Sequence, residues 1–382
     1  MNNIDETRIL PPGFRWQAGR DEFDFDIVIN SPGFRKYSSF AKKHHLISDV
    51  CREDIADLDD VDNYLYVVQK SPLWLELRSK AQGTASSAGK YIKGPPMYPS
   101  VEEINEHWAD AINKVPFKTT HTMRGHMKWG NCYEDCALTH FAAENMLTVC
   151  QVGTIYTPLA YIISLIPKYF TTEEQVHLYR LSNTLNTQDV HLLVSPDGLV
   201  GLPDGNDNKI PQNIVGMLEI KCISPFHFME EKDGTLSWVD NMETRQWRHP
   251  GEIPYVYITQ ICLQAISGLY RLNMTNRDTM WFVRWSPSGF SEFKINFGPL
   301  VKFGILSSLI YFSLKQRLLN ISDLPFKYNK LEAAVMTILN KNYMSVIADM
   351  EHRYVSLDGV YPEFFTYQKY TKGFRFTVNE NS

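Results

Sequence analysis

Ser195-Pro196-Asp197-Gly198 and, further along the chain, Leu218-Glu219-Ile220-Lys221 decide how this sequence is read. The first stretch is a turn that carries a carboxylate, since Asp-Gly pairs favour turns. The second is an apolar strand interrupted by an acid and a base on alternate residues. Side chains two apart on a strand share a face, and those one apart face opposite sides. Glu219 and Lys221 therefore project together, while Ile220 turns into the core. A hairpin running from Gly198 to Val215 brings Asp197 beside Glu219. The result is an acidic pocket with an ammonium group at its edge. Hard divalent cations such as Mg2+ take carboxylate oxygens and keep several waters. A lysine beside such an ion can position an attacking water. The chemistry this suits is phosphodiester hydrolysis. The same residues also fit a plain surface turn and a solvated strand face, so the rest of the chain has to discriminate.

The 382 residues are 44% hydrophobic and 13% aromatic, enough for one large core with appended segments. The formal net charge of -5 excludes a globally basic nucleic-acid binder. Any contact with DNA or RNA has to come from a local patch. The cysteines Cys51, Cys132, Cys136, Cys150, Cys222 and Cys262 form no CxxC pair. They read as reduced thiols of an intracellular protein. The opening MNNIDETRIL lacks the charged and apolar regions of a signal peptide. The apolar runs 155–167 and 304–314 are too short to span a bilayer. The expectation is a soluble, intracellular protein with no membrane contact.

Along the chain, residues 1–66 read as an N-terminal appended segment, 67–319 as the main domain and 320–382 as a C-terminal extension. Hydrophobic periodicity predicts helices at Pro72–Lys80, 101–115, 129–149, 253–271, 301–319 and near 331–342. Strands are expected at 154–161, 190–194 and 215–221. A hairpin over 279–285 and 290–297 turns at Ser286-Pro287-Ser288-Gly289. Gly83 to Gly89 is small and polar, suited to a loop or helix start that a ligand approaches closely. The order of elements implies an α/β fold.

Three further elements bear on chemistry. Arg78, followed by Ser86 in a Thr-Ala-Ser run, offers a guanidinium and hydroxyls to a phosphate. The plain alternative is a surface arginine paired with Glu76. Glu134 lies in the early turns of the helix after Trp129-Gly130, where it suits a metal site or simply complements the helix dipole. Gln260 and Gln264, at i and i+4, place two amides on one face of an otherwise apolar helix, where burial demands partners.

Taken in order, these elements resemble the phage-lambda-type exonucleases, the YqaJ-like branch of the PD-(D/E)xK nuclease superfamily that also takes in viral alkaline nucleases. The matching motifs are Trp74 with Arg78 and Thr84-Ala85-Ser86; Trp129-Gly130 with Glu134; Ser195-Pro196-Asp197-Gly198; Leu218-Glu219-Ile220-Lys221-Cys222; and Tyr257 with Gln260. The resemblance covers about residues 71–297. It implies a restriction-endonuclease-like core: a central mixed β-sheet flanked by helices, with N-terminal and C-terminal appended segments. It implies that Asp197, Glu219 and the Ile220 carbonyl ligate two Mg2+ ions, with Mn2+ as a substitute and Glu134 in direct or water-mediated contact. Lys221 would position the nucleophilic water and Gln260 would lie beside the pocket, with Gln264 in a lesser role. Arg78, Ser86 and Ser195 would grip the terminal phosphate of a DNA end. Spacing leaves Ser86 and Ser87 as alternatives.

The activity implied is a Mg2+-dependent 5′-to-3′ exonuclease on linear duplex DNA, serving recombination, repair or viral genome processing. A single-strand annealing protein and a homo-oligomer are the partners that follow from the same resemblance. A viral protein of this kind would work in the host nucleus or cytoplasm. Two rivals remain: a structure-specific endonuclease or RNA-degrading alkaline nuclease, and a catalytically decayed DNA-end-binding module. The filled charged positions argue against decay.

Overall fold

The computed structural model describes residues 26–55, 57–81, 83–89, 121–165, 190–205, 209–224, 226–230, 236–240, 253–254, 257–272, 279–298, 350–362 and 374–376, together with 106, 109, 300, 301, 303–305, 307 and 308. The described residues open with helices α1 (Asp26–Ile29) and α2 (Pro32–Lys43) and strand β1 (Ile47–Asp49). A 3-10 turn at Val61–Tyr66 leads to α3 (Pro72–Lys80), β2 (Gly83–Thr84), α4 (Ala85–Ala88) and the long α5 (His121–Asn145). Then come β3 (Thr148–Gln151), β4 (Ile155–Pro158), α6 (Leu159–Ser164), β5 (His191–Val194), β6 (Gly198–Gly201) and β7 (Ile214–Cys222). The remainder is β8 (Phe226–Glu230), β9 (Leu236–Asp240), α7 (Ile258–Arg271), β10 (Thr279–Ser286), β11 (Gly289–Asn296), β12 (Met350–Ser356) and β13 (Phe374–Phe376).

Seven strands build the central sheet in the order β1-β3-β6-β7-β10-β11-β12. It is mixed: β1 with β3 and β7 with β10 run parallel, and the other neighbours are antiparallel. Two small sheets accompany it, β2-β5-β4 and β13-β9-β8. The central strands are buried through their middle residues, which is why β10 reads as the nearly unbroken apolar run Met280 to Val283. Alternation sorts those side chains between two cores. Leu218, Ile220, Trp281, Val283 and Trp285 meet Trp129, Tyr133, Ala137 and Phe141 of α5 on one face. Met217, Met280, Phe282 and Phe293 meet Ile258, Ile261, Cys262 and Ala265 of α7 on the other. Truncating one of the large buried side chains here, such as Phe282, would cost ~3–5 kcal/mol.

The expected helix at 72–80 forms, capped by the Ser71 hydroxyl, which accepts from the Trp74 amide at 3.1 Å. The helix expected at 129–149 differs at both ends. It begins at His121, where the sequence is too polar for apolar periodicity to register. It stops at Asn145 because Met146 takes φ +53°, and Thr148 to Gln151 then enter the sheet. The strand expected at 154–161 ends at Pro158, which starts α6. The helix expected from 253 starts at Ile258, since Pro254 closes a turn with the Tyr257 amide instead. The hairpin at 286–289 forms as read. Residues described between 300 and 308 are helical. The helices expected at 331–342 and across most of 101–115, and the part of 301–319 beyond 308, lie outside the described residues. The segments 1–66 and 320–382 each lend the central sheet an edge strand, β1 and β12.

Candidate active site

Asp197 sits at the entry to β6, and the pairing of Gly198 with Leu218 sets it beside Glu219. Its amide donates to the Leu218 carbonyl at 3.0 Å. Its own Oδ2 accepts from the Ile220 amide at 2.5 Å. The glycine that follows is a steric requirement: a Cβ at Gly198 would lie 2.4 Å from Val149 Cγ1 on the neighbouring strand. The Pro196 carbonyl is held too, accepting from Gln69 Nε2 at 2.9 Å, while the same amide reaches the Val152 carbonyl at 2.8 Å. The turn is thus fixed from both sides.

Glu219 projects from β7 toward α7, on the face opposite Ile220, and is 1% exposed. A buried carboxylate needs donors, and it has three. Gln260 Nε2 reaches Oε1 at 2.5 Å, Gln264 Nε2 reaches Oε2 at 2.6 Å, and Lys221 Nζ pairs with Oε1. The two glutamines, one turn apart on α7, therefore clamp one carboxylate. Burial pulls the Lys221 ammonium down, but Glu219 and Asp197 outweigh it and hold the group above its ordinary value. The ammonium also lies 5.3 Å from the centre of the Tyr257 ring. Asp197 goes the other way from a paired acid. Burial first, then Glu219 and Glu134, push its carboxyl well above the ordinary 3.8.

Glu134 faces Asp197 from α5, at the mouth of a cleft of about 200 Å3 that also exposes Asp49, Lys70, Asn131 and Asp135. Its Oε2 accepts from Lys70 Nζ at 3.1 Å. Asp135, one residue on, is raised by burial and by Glu134.

A second cluster centres on Arg78. The Arg78 guanidinium lies over the Trp74 ring at 4.1 Å and donates to Ser86 Oγ at 3.1 Å and Thr84 Oγ1 at 3.4 Å. Glu76, which could have paired with it, instead takes Lys80 at 2.6 Å. Ser87 turns back to Thr84, its Oγ 2.8 Å from Thr84 Oγ1 and 3.1 Å from the Thr84 carbonyl. Of the two serines, Ser86 is the one beside the guanidinium. Trp74 joins the two clusters, because its Nε1 donates to Ser195 Oγ at 3.0 Å, two residues before Asp197.

The sequence-derived residues therefore fall into two linked groups: Asp197, Glu219, Ile220, Lys221 and Gln260, joined by hydrogen bonds and with Glu134 facing Asp197, and Arg78 with Ser86, tied to Ser195 through Trp74. Gln264 ranks equal to Gln260. Gln69, Lys70, Asn131 and Asp135 went unread. Gln69 and Lys70 fall just ahead of the Trp74 motif, and their type alone gives no signal. Asn131 lies three residues before Glu134 and four before Asp135 on the same helix, so helical spacing links it to both.

Among the described residues, no three His, Cys, Asp or Glu side chains converge tightly enough to hold an ion by themselves. The donor set nonetheless fits a Mg2+-type ion, which binds through one or two carboxylates and fills its sphere with water and phosphate oxygens. Burial, Glu219 and Glu134 raise the Asp197 carboxyl against the opposing pull of Lys221.

A helix-flanked mixed sheet with this acid–acid–lysine end defines an α/β nuclease core of the restriction-endonuclease type. The family model of the YqaJ-like viral recombinase domain matches residues 73–271, from α3 to the end of α7 and just over half of the chain. The chain belongs to that family, which makes it a recombination-type nuclease with DNA as its substrate. No curated protein matches it. No helix among the described residues is long and apolar enough to cross a membrane.

Proposed function

We propose that this chain is a divalent-metal-dependent DNA exonuclease that degrades one strand of a linear duplex from its 5′ end. The observation that carries this reading is the Trp74 bridge. It ties an arginine pocket suited to a terminal phosphate to the Asp197, Glu219 and Lys221 cluster. A nuclease that cuts internally has no use for a cation site for a chain end set beside its cleavage site.

In this reading Asp197, Glu219 and the Ile220 carbonyl hold the metal, with Glu134 at its edge. When bound, Mg2+ supplies an activated water and neutralises charge on the leaving oxygen. The chain's own groups do the rest. Gln260 and Gln264 fix the Glu219 carboxylate, and the Ile220 amide fixes Asp197. Lys221 holds the attacking water in line and adds positive charge where the phosphorane gains negative charge. Arg78, Ser86, Thr84 and Ser195 hold the end in place, so that cleavage falls at a set distance from it.

The experiment is digestion of duplexes labelled at either end, with and without a 5′ phosphate, in Mg2+ or in EDTA, beside a relaxed circular duplex. The expected result is Mg2+-dependent release of nucleotides from 5′-phosphorylated linear ends and an intact circle. Cutting of the circle, or degradation indifferent to the ends, would overturn the reading and favour the endonuclease.

A further inference from the structure

We propose that Lys70 is the exchangeable counter-ion of the cleft. It pairs with Glu134 while no cation is bound, and passes to a DNA phosphate when cation and substrate enter. This rests on the reading of the Asp197 cleft as the metal and cleavage centre.

Four observations carry it. First, the Lys70 ammonium lies 3.1 Å from Glu134 Oε2 and 3.0 Å from Asn131 Oδ1, two groups on the exposed turn of α5 that faces Asp197. Second, among the described residues lining this cleft, which do not include Lys221, Lys70 is the only base, against Asp49, Glu134, Asp135 and Asp197. Its charge therefore opposes a cation approaching those acids. Third, its side chain is 53% exposed, and ion pairs this open are weak and readily exchanged. Its backbone is not free to drift, because the neighbouring Gln69 is pinned by hydrogen bonds at 2.8 and 2.9 Å. Fourth, Lys70 sits at φ +67°, a left-handed conformation that glycine adopts easily and a Cβ-bearing residue does not. Strain of this kind at the rim of a site points to a role for the side chain.

An alternative in which Lys70 merely orients Glu134 makes opposite predictions, so the two can be told apart. The test uses the full chain. Mn2+ binding is measured by electron paramagnetic resonance without DNA. Binding of a short 3′-fluorescein blunt duplex is followed by anisotropy in Ca2+ over a range of salt. Lys70→Gln should bind Mn2+ about 3–10-fold more tightly than wild type, the effect of removing one exposed opposing charge. It should bind DNA more weakly, with a salt slope smaller by about one. Lys70→Arg should match wild type in both. Lys70→Gly should behave like Lys70→Gln and melt at a higher temperature, which guards against misfolding as an explanation. Unchanged or weaker Mn2+ binding by Lys70→Gln overturns the proposal, and so does an unchanged salt slope. If wild type binds no Mn2+, or Asp197→Ala binds it equally well, the reading of the cleft itself fails, and this inference falls with it.

Discussion

The Asp197–Glu219 end of the sheet and the Arg78 cluster, linked through Trp74, have opposite electrical characters. The first crowds carboxylates into a buried place, and Asp197 is pushed up in consequence. The second encloses a guanidinium with only an aromatic face and hydroxyls for company, and burial pulls it down from its ordinary value. Each is unsatisfied in the charge it would receive from the same substrate and its ions. The acids suit a cation, and the arginine, whose described neighbours are hydroxyls and an indole ring, suits an anion. In the function proposed above, one site performs the chemistry and the other chooses where it happens, so they should fail in different ways.

The largest break in that comparison comes from the acids. Asp197→Ala or Glu219→Ala should lower kcat by roughly three or more orders of magnitude with the fold retained, as checked by single-turnover digestion and circular dichroism. DNA-end selection should persist in both. Lys221→Ala should follow, with a loss of about 10²–10³ in the chemical step and nearly unchanged DNA affinity, since its charge acts where negative charge develops. A large loss of affinity with normal chemistry would move Lys221 into the binding pocket. Arg78→Ala should act on the other side. The preference for a 5′-phosphorylated end should shrink about 10- to 100-fold, the worth of a charge-assisted contact, with cleavage of the unphosphorylated duplex little altered.

The smallest effect is on stability. The folded-state value of Asp197 is raised, so the folded chain binds more protons than the unfolded one. Stability therefore falls as pH rises from the unfolded value of 3.8 through the folded one. Asp197→Asn removes that dependence. In EDTA at neutral pH it should melt a few degrees higher than wild type, at roughly 2–4 °C per kcal/mol. The gap should close near pH ~4, below which both forms are neutral. Mg2+ should raise the melting temperature of wild type far more than that of the variant. A melting curve of Asp197→Asn that tracks wild type across pH would show that the cleft carries no excess of negative charge.

The parts legible in sequence were those whose information is local. The acid and lysine of β7 announce themselves by alternation, and the Ser71–Trp74 start of α3 by its cap. The pairing of Asp197 with Glu219 follows from a hairpin that Gly198 alone permits. What escaped depends on distant partners or on backbone torsion. Nothing in the identity of Lys70 discloses a left-handed backbone, and nothing in Gln69 discloses its reach to Val152 and Pro196. The end of α5 at Met146 carries no glycine to mark it. The hydrogen bond of Gln264 to Glu219 depends on a carboxylate from another element, which local sequence does not disclose. The first turns of α5 show Met123 and Met127 to solvent, so the periodicity that marks a buried helix face is missing there.

The hydrogen bond that joins Ser31, ahead of α2, to Val360, beyond β12, has a consequence for how the chain is made. Ser31 Oγ donates to the Val360 carbonyl at 2.6 Å, and Gly33 sits so close that a Cβ would come within 2.2 Å of the same oxygen. The earliest helices thus wait for residues 350–362, which also bring β12 to the sheet. On the ribosome, α2 has to remain without its final seat until residue 360 has emerged. Contacts this remote in sequence are slow to close. A nascent chain stalled before residue 350 should be cut by protease within α2, and one stalled well beyond 362 should resist. The nuclease core would then be completed only after residues 329 positions apart have met.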